Sequence, residues 1–500
     1  MLRIAYAGDP SSLVPFLAID QEIIALDTLF CQTLVGLDAD NRDVPILVTR
    51  IPSRANGDVS SDGTRITYHL RRGVKFADGV ELTSRDVAFT YRAVLDPQNR
   101  ATSVHNYERI ASLATPDPYT VVITLRHSWN AAVHVLFAEA DYMYGILPAH
   151  AFSGTKVVGS RWENAPFGTG PFRVAKWTRG DSILLEPNPY FRPRPKLSRI
   201  VLQIVPNLNT NFIVLQSGAV DIGTLTPENV ERAATLPGVD VVRVPENATD
   251  LFYMQTQTAP TNDVHVRRAI AYALDLNALQ DAWRHQYPPA GSFLPPPIVR
   301  WKSVTIPPYP HDPARAGREL DAAGWALKHG LRVKNGGPLA GVMGVNAEDP
   351  TQMRIATLVQ SELAAVGMRV TLKPQPTSLW FSPQGLLRNG DATFVSEPWV
   401  GGSDPEQSVN LTCEQAVKGD SNHAFFCSKA LDALFADQAT TPSQAQRNRD
   451  FDAMQVLVRR DVPAIPLYYE YRLLGVNRRV TGYATNMLWV PVNAELWDAH

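Results

Sequence analysis

The stretch Thr351-Gln352-Met353-Arg354-Ile355-Ala356-Thr357-Leu358-Val359-Gln360-Ser361-Glu362-Leu363-Ala364-Ala365-Val366-Gly367-Met368-Arg369-Val370-Thr371-Leu372-Lys373 sets the fold class. Its apolar positions recur at helical spacing over 351–366, Gly367 interrupts, and a short segment of strand pattern follows over 368–373. Helix, brief glycine connection and strand make up the repeating unit of an α/β protein. Moving towards the N-terminus, helices are expected over 314–323 and 264–273, in a unit that begins near Leu251. Moving towards the C-terminus, a glycine-rich loop follows Trp399, then a segment bracketed by two cysteines, a helix over 447–459, and strands from 464 to 497.

Further upstream the pattern is similar. Strands are expected over 173–177, 182–187, 200–205 and 241–244, with a helix over 210–218. Residues 40–160 have a different texture and read as a compact α+β unit. It has strands over 65–70 and 119–125, a helix over 84–95, and a further Ala-rich helix from Ala131. Thr83 fits an N-cap and Asp86 its acidic capping-box partner. The first forty residues hold a strand-like start, a turn at Asp9-Pro10-Ser11-Ser12, and a segment over 22–37 that fits a helix better than a strand.

At about 150 residues per domain, 500 residues suggest about three domains or lobes. Lys and Arg number 47 against 49 Asp and Glu, a net charge of −2, so neither a polyanion-binding surface nor an acidic tail is indicated. Nucleic acid is therefore not an expected partner. The longest uncharged stretch, 200–220, contains Gln203, Pro206, Asn207, Asn209, Asn211 and Gln216, and so does not read as a membrane helix. Met1 leads directly into the first strand without the pattern of a secretory leader, which suits either a cytoplasmic protein or one whose leader has been removed. Cys31 lies in an apolar run and reads as a buried small hydrophobe. Cys413 and Cys427 flank a polar loop, and spacing alone leaves a bridge and two free thiols equally open.

No nucleophile elbow, His-Glu-x-x-His, Cys-x-x-Cys or Walker loop occurs in the sequence, so no catalytic residue, metal site or cofactor is expected. His105, His127 and His134 lack ligand spacing. Gly168-Thr169-Gly170 precedes Pro171 and a strand rather than the helix a phosphate loop needs. Aromatic residues, by contrast, flank polar or glycine-rich loops at Trp129, Phe293, Trp380, Trp399 and Tyr469. Each alone is explained by packing within its own lobe; together they suit the walls of a pocket for a small polar ligand.

Several segments in order resemble one family: the extracytoplasmic solute-binding proteins of ABC importers, family 5, whose members bind dipeptides, oligopeptides or nickel. The resemblance rests on Ser61-Asp62-Gly63-Thr64 through Arg71-Arg72-Gly73-Val74-Lys75-Phe76-Ala77-Asp78-Gly79, Thr83-Ser84-Arg85-Asp86-Val87, Gly168-Thr169-Gly170-Pro171-Phe172 and Ser217-Gly218-Ala219-Val220-Asp221. It continues through Asp263-Val264-His265-Val266-Arg267-Arg268-Ala269, Asp312-Pro313-Ala314-Arg315-Ala316 and Arg460-Asp461-Val462-Pro463-Ala464-Ile465-Pro466.

The resemblance implies an α/β fold of the periplasmic-binding-protein type II-like class (cluster C), with two hinged lobes and an inserted α+β subdomain. Lobe I would comprise 1–38, 164–252 and 472–500, the insertion 39–163, and lobe II 253–471. It also implies export, a monomer, a permease partner, contact with the membrane only through a tether or that permease, and a Cys413–Cys427 disulfide. The ligand would be a peptide or peptide-like solute, held by Phe293, Trp380, Trp399, Gly401, Gly402, Asp404 and Tyr469 from one side and Ser11, Ser12, Phe30 and Cys31 from the other.

Gly stands where dipeptide binders place the Asp that anchors the ligand's amine, and their carboxylate-binding Arg has no clear match. Asp404 is the remaining anchor candidate, with the Asp-Pro turn as its other role. A sugar derivative, opine or nickel chelate is the alternative ligand, a secreted hydrolase the alternative of another class, and a receptor-docking sensor subunit a third reading.

Overall fold

The computed structural model describes residues 1–17, 26–101, 104–139, 145–295, 304–406 and 408–500. The chain opens with β1 (Leu2–Tyr6). It then enters the 40–160 region, which holds β2 (Arg65–His69), α1 (Ser84–Leu95), β3 (Ile110–Asp117) and β4 (Thr120–Leu125). The three strands form their own antiparallel sheet in the order β2-β4-β3. α1 begins where expected: Thr83 and Asp86 form a capping box, satisfying amides that the first helical turn leaves open.

The main sheet resumes with β5 (Phe172–Thr178), β6 (Ser182–Pro187), β7 (Ile200–Ile204), α2 (Leu208–Gln216), β8 (Ile222–Thr224) and the long β9 (Val239–Met254). Helices α3 (Val264–Ala273) and α4 (Pro313–Ala322) follow, then β10 (Ala340–Asn346), α5 (Pro350–Ala365), β11 (Arg369–Gln375) and β12 (Phe394–Val400). The chain closes with α6 (Lys429–Thr440), α7 (Gln444–Asp461) and β13 (Ala464–Asn477), ahead of short strands near the C-terminus.

One ten-stranded sheet runs β11-β10-β12-β9-β13-β8-β1-β7-β6-β5. Parallel pairs, β1 with β7 and β8 in one half and β10 with β11 in the other, alternate with helices as the α/β reading requires. Only β9 and β13 belong to both halves, and they are antiparallel to each other. The lobe boundaries expected at 252/253 and 471/472 both fall inside these crossing strands. Their ladder is bulged twice. Glu246, Asn247 and Ala248 of β9 face the single residue Glu470 between the pairs Pro245–Tyr471 and Thr249–Tyr469. Leu467 of β13 is then extra between Asp250–Tyr468 and Leu251–Pro466. Bulges interrupt the ladder and sharpen twist, so the two halves meet at the least regular part of the sheet.

Separate apolar cores fill the halves. One joins Phe16, Tyr68, Phe76, Ile123 and Phe172, and so spans β1's half of the sheet and the 40–160 unit. A second packs α3, α4 and α5 on the far half through Ala269, Leu320 and Val359. A third, containing Leu251, Tyr253, Phe293, Trp380 and Leu488, lies along the crossing strands.

Three sequence expectations need correction. Of the helix expected over 22–37, residues 22–25 lie outside the described residues, and only Leu26 and Asp27 of the remainder are helical. The carbonyls of Leu29 and Phe30 accept from Phe172 and Gly170 instead of from the next helical turn, and Val35–Leu37 is a strand. The helix expected from Ala131 covers only Ala132–Val135, and Phe137 lies in the left-handed region. The strand expected over 241–244 is the first part of β9, which runs on to Met254, so the unit expected to begin near Leu251 begins in mid-strand.

Candidate functional site

Directly opposed residues of neighbouring strands share a face, so register alone assembles part of the site. Thr249 of β9 lies opposite both Trp399 of β12 and Tyr469 of β13, giving a row Trp399–Thr249–Tyr469 at the crossing. Phe293 comes from the loop before the second half of the sheet. With Trp399, Leu251, Tyr253, Asn410 and Leu411 it encloses a cavity of about 20 Å³, room for about one water. The Tyr469 hydroxyl accepts from the Ser292 amide at 3.3 Å, which holds the Phe293 loop against the row.

Around this row the buried polar atoms are left without partners. The Trp399 indole nitrogen, the Thr249 hydroxyl, the Asn247 side-chain oxygen and both polar atoms of the Asn410 amide make no hydrogen bond to a described residue. Asn410 is 5% exposed and Thr249 fully buried. A buried unsatisfied polar group costs about 1–3 kcal/mol, and in a native protein it calls for a partner. The set mixes donors with acceptors and carries no charge.

The glycine loop after β12 is tied to the same place. Asn247 donates from its side chain to the Gly402 carbonyl, and its own carbonyl accepts from the Gly401 amide at 2.8 Å. A Cβ at Gly401 would stand 2.9 Å from the Asn247 amide, so glycine allows this approach. Both oxygens of Asp404 are held by Arg447 of α7, at 2.6 and 2.8 Å, in a pair almost wholly removed from water. It also accepts from the Glu406 amide, the Asp-Pro turn role. Trp380 is fully buried and donates to Glu397 at 2.8 Å. Burial raises Glu397 to about 7, with the nearby Asp250 charge adding to the rise and the Trp380 and Gln352 hydrogen bonds opposing it.

The candidates from the other side are not brought to the row. Phe30 and Cys31 are enclosed in the first core, Cys31 as a free thiol, and Ser12 bonds Glu163 at 3.0 Å. Ser11 is exposed, and its carbonyl accepts from Arg179. Contact across the gap is made instead by Asn130 of the 40–160 unit. Its side chain donates to the carbonyls of Gln438 and Thr441, and its amide to Ala439, at the C-terminal end of α6. Ser403 adds a bond to the His134 carbonyl at 3.1 Å. Cys413 and Cys427 are joined in a disulfide. Among the described residues no group of His, Cys, Asp and Glu is arranged to hold a metal ion, and no helix is long and apolar enough to cross a membrane.

Residues 44–419 match the model of the bacterial extracellular solute-binding proteins, family 5. The chain belongs to this family. Within family 5 it is similar to the glutathione-binding protein GsiB of Escherichia coli strain K12, 26% identical over 492 residues, covering 96% of this chain and 91% of that one. Two solved structures share its fold: NikA from Brucella suis in complex with Fe(III)-EDTA (TM-score 0.86, 21% identity, 100% and 99% of the two chains) and the oligopeptide-binding protein AppA from Bacillus subtilis in complex with a nonapeptide (TM-score 0.81, 21% identity, 100% and 98%). The periplasmic-binding-protein fold expected from the sequence is therefore the fold of this chain.

Asn247, Thr249 and Asn410 had no place among the sequence candidates. The signal for the first two was the polar run Glu246-Asn247-Ala248-Thr249-Asp250 between two apolar segments, which reads as a break between strands and is instead the interior of one.

Proposed function

We propose that this chain is the solute-binding component of an ABC importer and captures a peptide or peptide-like solute between the two halves of its sheet. The observation that carries the reading is the set of neutral, unpaired, buried polar atoms around Trp399–Thr249–Tyr469. A peptide backbone, with its alternating N–H and C=O groups, supplies partners of both kinds, and aromatic walls suit its side chains. The bulged strands β9 and β13 act as the hinge, with 1–38, 164–252 and 472–500 moving against 253–471 and the insertion 39–163 carried by the first. Ligand that bridges the halves shifts the chain to its closed form. The protein works as a monomer outside the cytoplasm, hands solute to a permease, and returns it chemically unchanged.

Defined peptides of two to five residues, glutathione, haem, a nickel–histidine complex and Fe(III)-EDTA, screened by thermal shift and native mass spectrometry, test this reading. Peptides are expected to raise the melting temperature and to be recovered intact. Asn410→Ala is expected to weaken their binding by roughly tenfold, the value of one or two buried hydrogen bonds. A shift from haem or the metal chelates alone would overturn the peptide reading, and a cleaved peptide would overturn capture without turnover.

A further inference from the structure

The near-zero net charge of the chain conceals an uneven distribution. The segment Tyr190-Phe191-Arg192-Pro193-Arg194-Pro195-Lys196-Leu197-Ser198-Arg199 carries four cations and no carboxylate. Within it Pro195 and Leu197 are buried, which turns the exposed Arg194, Lys196 and Ser198 outward on either side of them. Its backbone is tied down at both ends. The fully buried Asn188 donates to the Gly170 carbonyl and accepts from the Tyr190 amide, both at 2.9 Å, and the Lys196 amide donates to the Glu495 carbonyl at 3.1 Å. The cations therefore stand on a fixed surface rather than on a loose tail.

Neighbouring strands extend this surface. Arg194 and Arg199 line one open recess of about 570 Å³ with Pro189 and Glu186, and Arg192 donates to the Pro189 carbonyl at 2.8 Å. Glu186 of β6 serves two guanidiniums, Arg173 of β5 at 3.4 Å and Arg199 at 3.9 Å. With Glu495 at its border, the surface sets five cations, Arg173, Arg192, Arg194, Lys196 and Arg199, against two carboxylates. A separate observation concerns apolar groups. Met1, 50% exposed, lines the same recess, and Tyr190, 42% exposed, opens the segment. Cations beside an exposed aromatic ring match the headgroup region of a bilayer, where anionic lipid attracts Lys and Arg and Tyr settles at the boundary with hydrocarbon. An acidic polypeptide accounts for the cations alone.

We propose that this surface binds anionic lipid headgroups, a direct contact beyond the tether or permease that the family resemblance implies. No residue of 253–471 takes part in it, so the contact belongs to one half of the sheet. It does not depend on the peptide reading.

The test is flotation of the full chain with vesicles of phosphatidylglycerol and phosphatidylcholine in equal parts, against vesicles of phosphatidylcholine alone. Binding to the anionic vesicles is expected to be at least about tenfold tighter, and to fall away as salt is raised to about 0.5 M. Each Lys or Arg near such a membrane is worth roughly fivefold, so Arg194→Gln with Lys196→Gln should weaken binding by roughly 25-fold. Glu186→Gln removes the shared carboxylate and should tighten it by roughly twofold to fivefold. Thermal midpoints of the variants serve as the control for folding. Equal binding to the two kinds of vesicle, or full binding by the folded double variant, would overturn the surface. Retention on immobilised polyglutamate that the double variant loses, with no flotation on either vesicle, would assign the cations to an acidic protein and overturn it as well.

Discussion

Asp250 shows what a single buried group at the crossing does to the molecule. It accepts from Ser396 at 2.9 Å and Tyr468 at 3.0 Å. Burial nonetheless raises its carboxyl to about 7; those two hydrogen bonds oppose the rise, and the Asp349 charge adds to it. In the unfolded chain the same group titrates near about 3.9. The native state thus holds this proton more tightly, and the stability it contributes is complete below about pH 4 and lost as pH rises through about 7. Glu397 and Glu139, each also raised to about 7 by burial above all, act in the same direction. The urea midpoint is expected to fall between about pH 5 and about pH 8 on account of these groups, and the fall should be smaller in Asp250→Asn. An identical fall in the variant would show that Asp250 does not titrate in this window. Asp404 illustrates the opposite lesson: the residue that looked like a ligand anchor is paired with Arg447, out of contact with water.

At the scale of elements, one side chain of the 40–160 unit caps a helix it does not belong to. Asn130 takes up carbonyls at the C-terminal end of α6, the end every helix leaves unsatisfied. Asn130→Ala removes two of its three bonds across the gap. Bound peptide should then dissociate roughly tenfold faster, with the association rate little changed. Stopped-flow displacement measures this, and an unchanged release rate would remove Asn130 from the closing contact. Helices such as α3 were legible from the sequence because their apolar spacing and capping residues, here Asp263, act locally. Trp399 and Phe293 stood out because they flank glycine- or proline-bearing loops, and the structure puts both in the wall of one small cavity. β9 was not legible across its middle. Burying Glu246 through Asp250 inside a strand depends on partners more than a hundred residues away in β12 and β13, and neither periodicity nor propensity carries that information.

For the whole molecule, the sheet makes two halves one object, joined at the bulged ladder of β9 and β13. In the closed form its radius of gyration should be on the order of 23 Å, the value for a compact chain of this length. Small-angle scattering should show a larger value for Asn130→Ala without ligand and convergence on the wild-type value when saturating peptide is added; equal radii throughout would mean that the halves do not part. The bulge at Leu467 has a consequence for how such a protein tolerates change. On either side of it, β13 presents Ile465 to the same face as Phe252 and Tyr469 to the face of Trp399, an arrangement that strict alternation of β13 against β9 would forbid. Deleting that one residue leaves every neighbouring side chain intact yet turns one flank of the strand over. Either Ile465 leaves its core, or Tyr469 and Glu470 exchange faces of the sheet. A substitution here alters one contact, whereas a change in the count of residues turns over a whole flank.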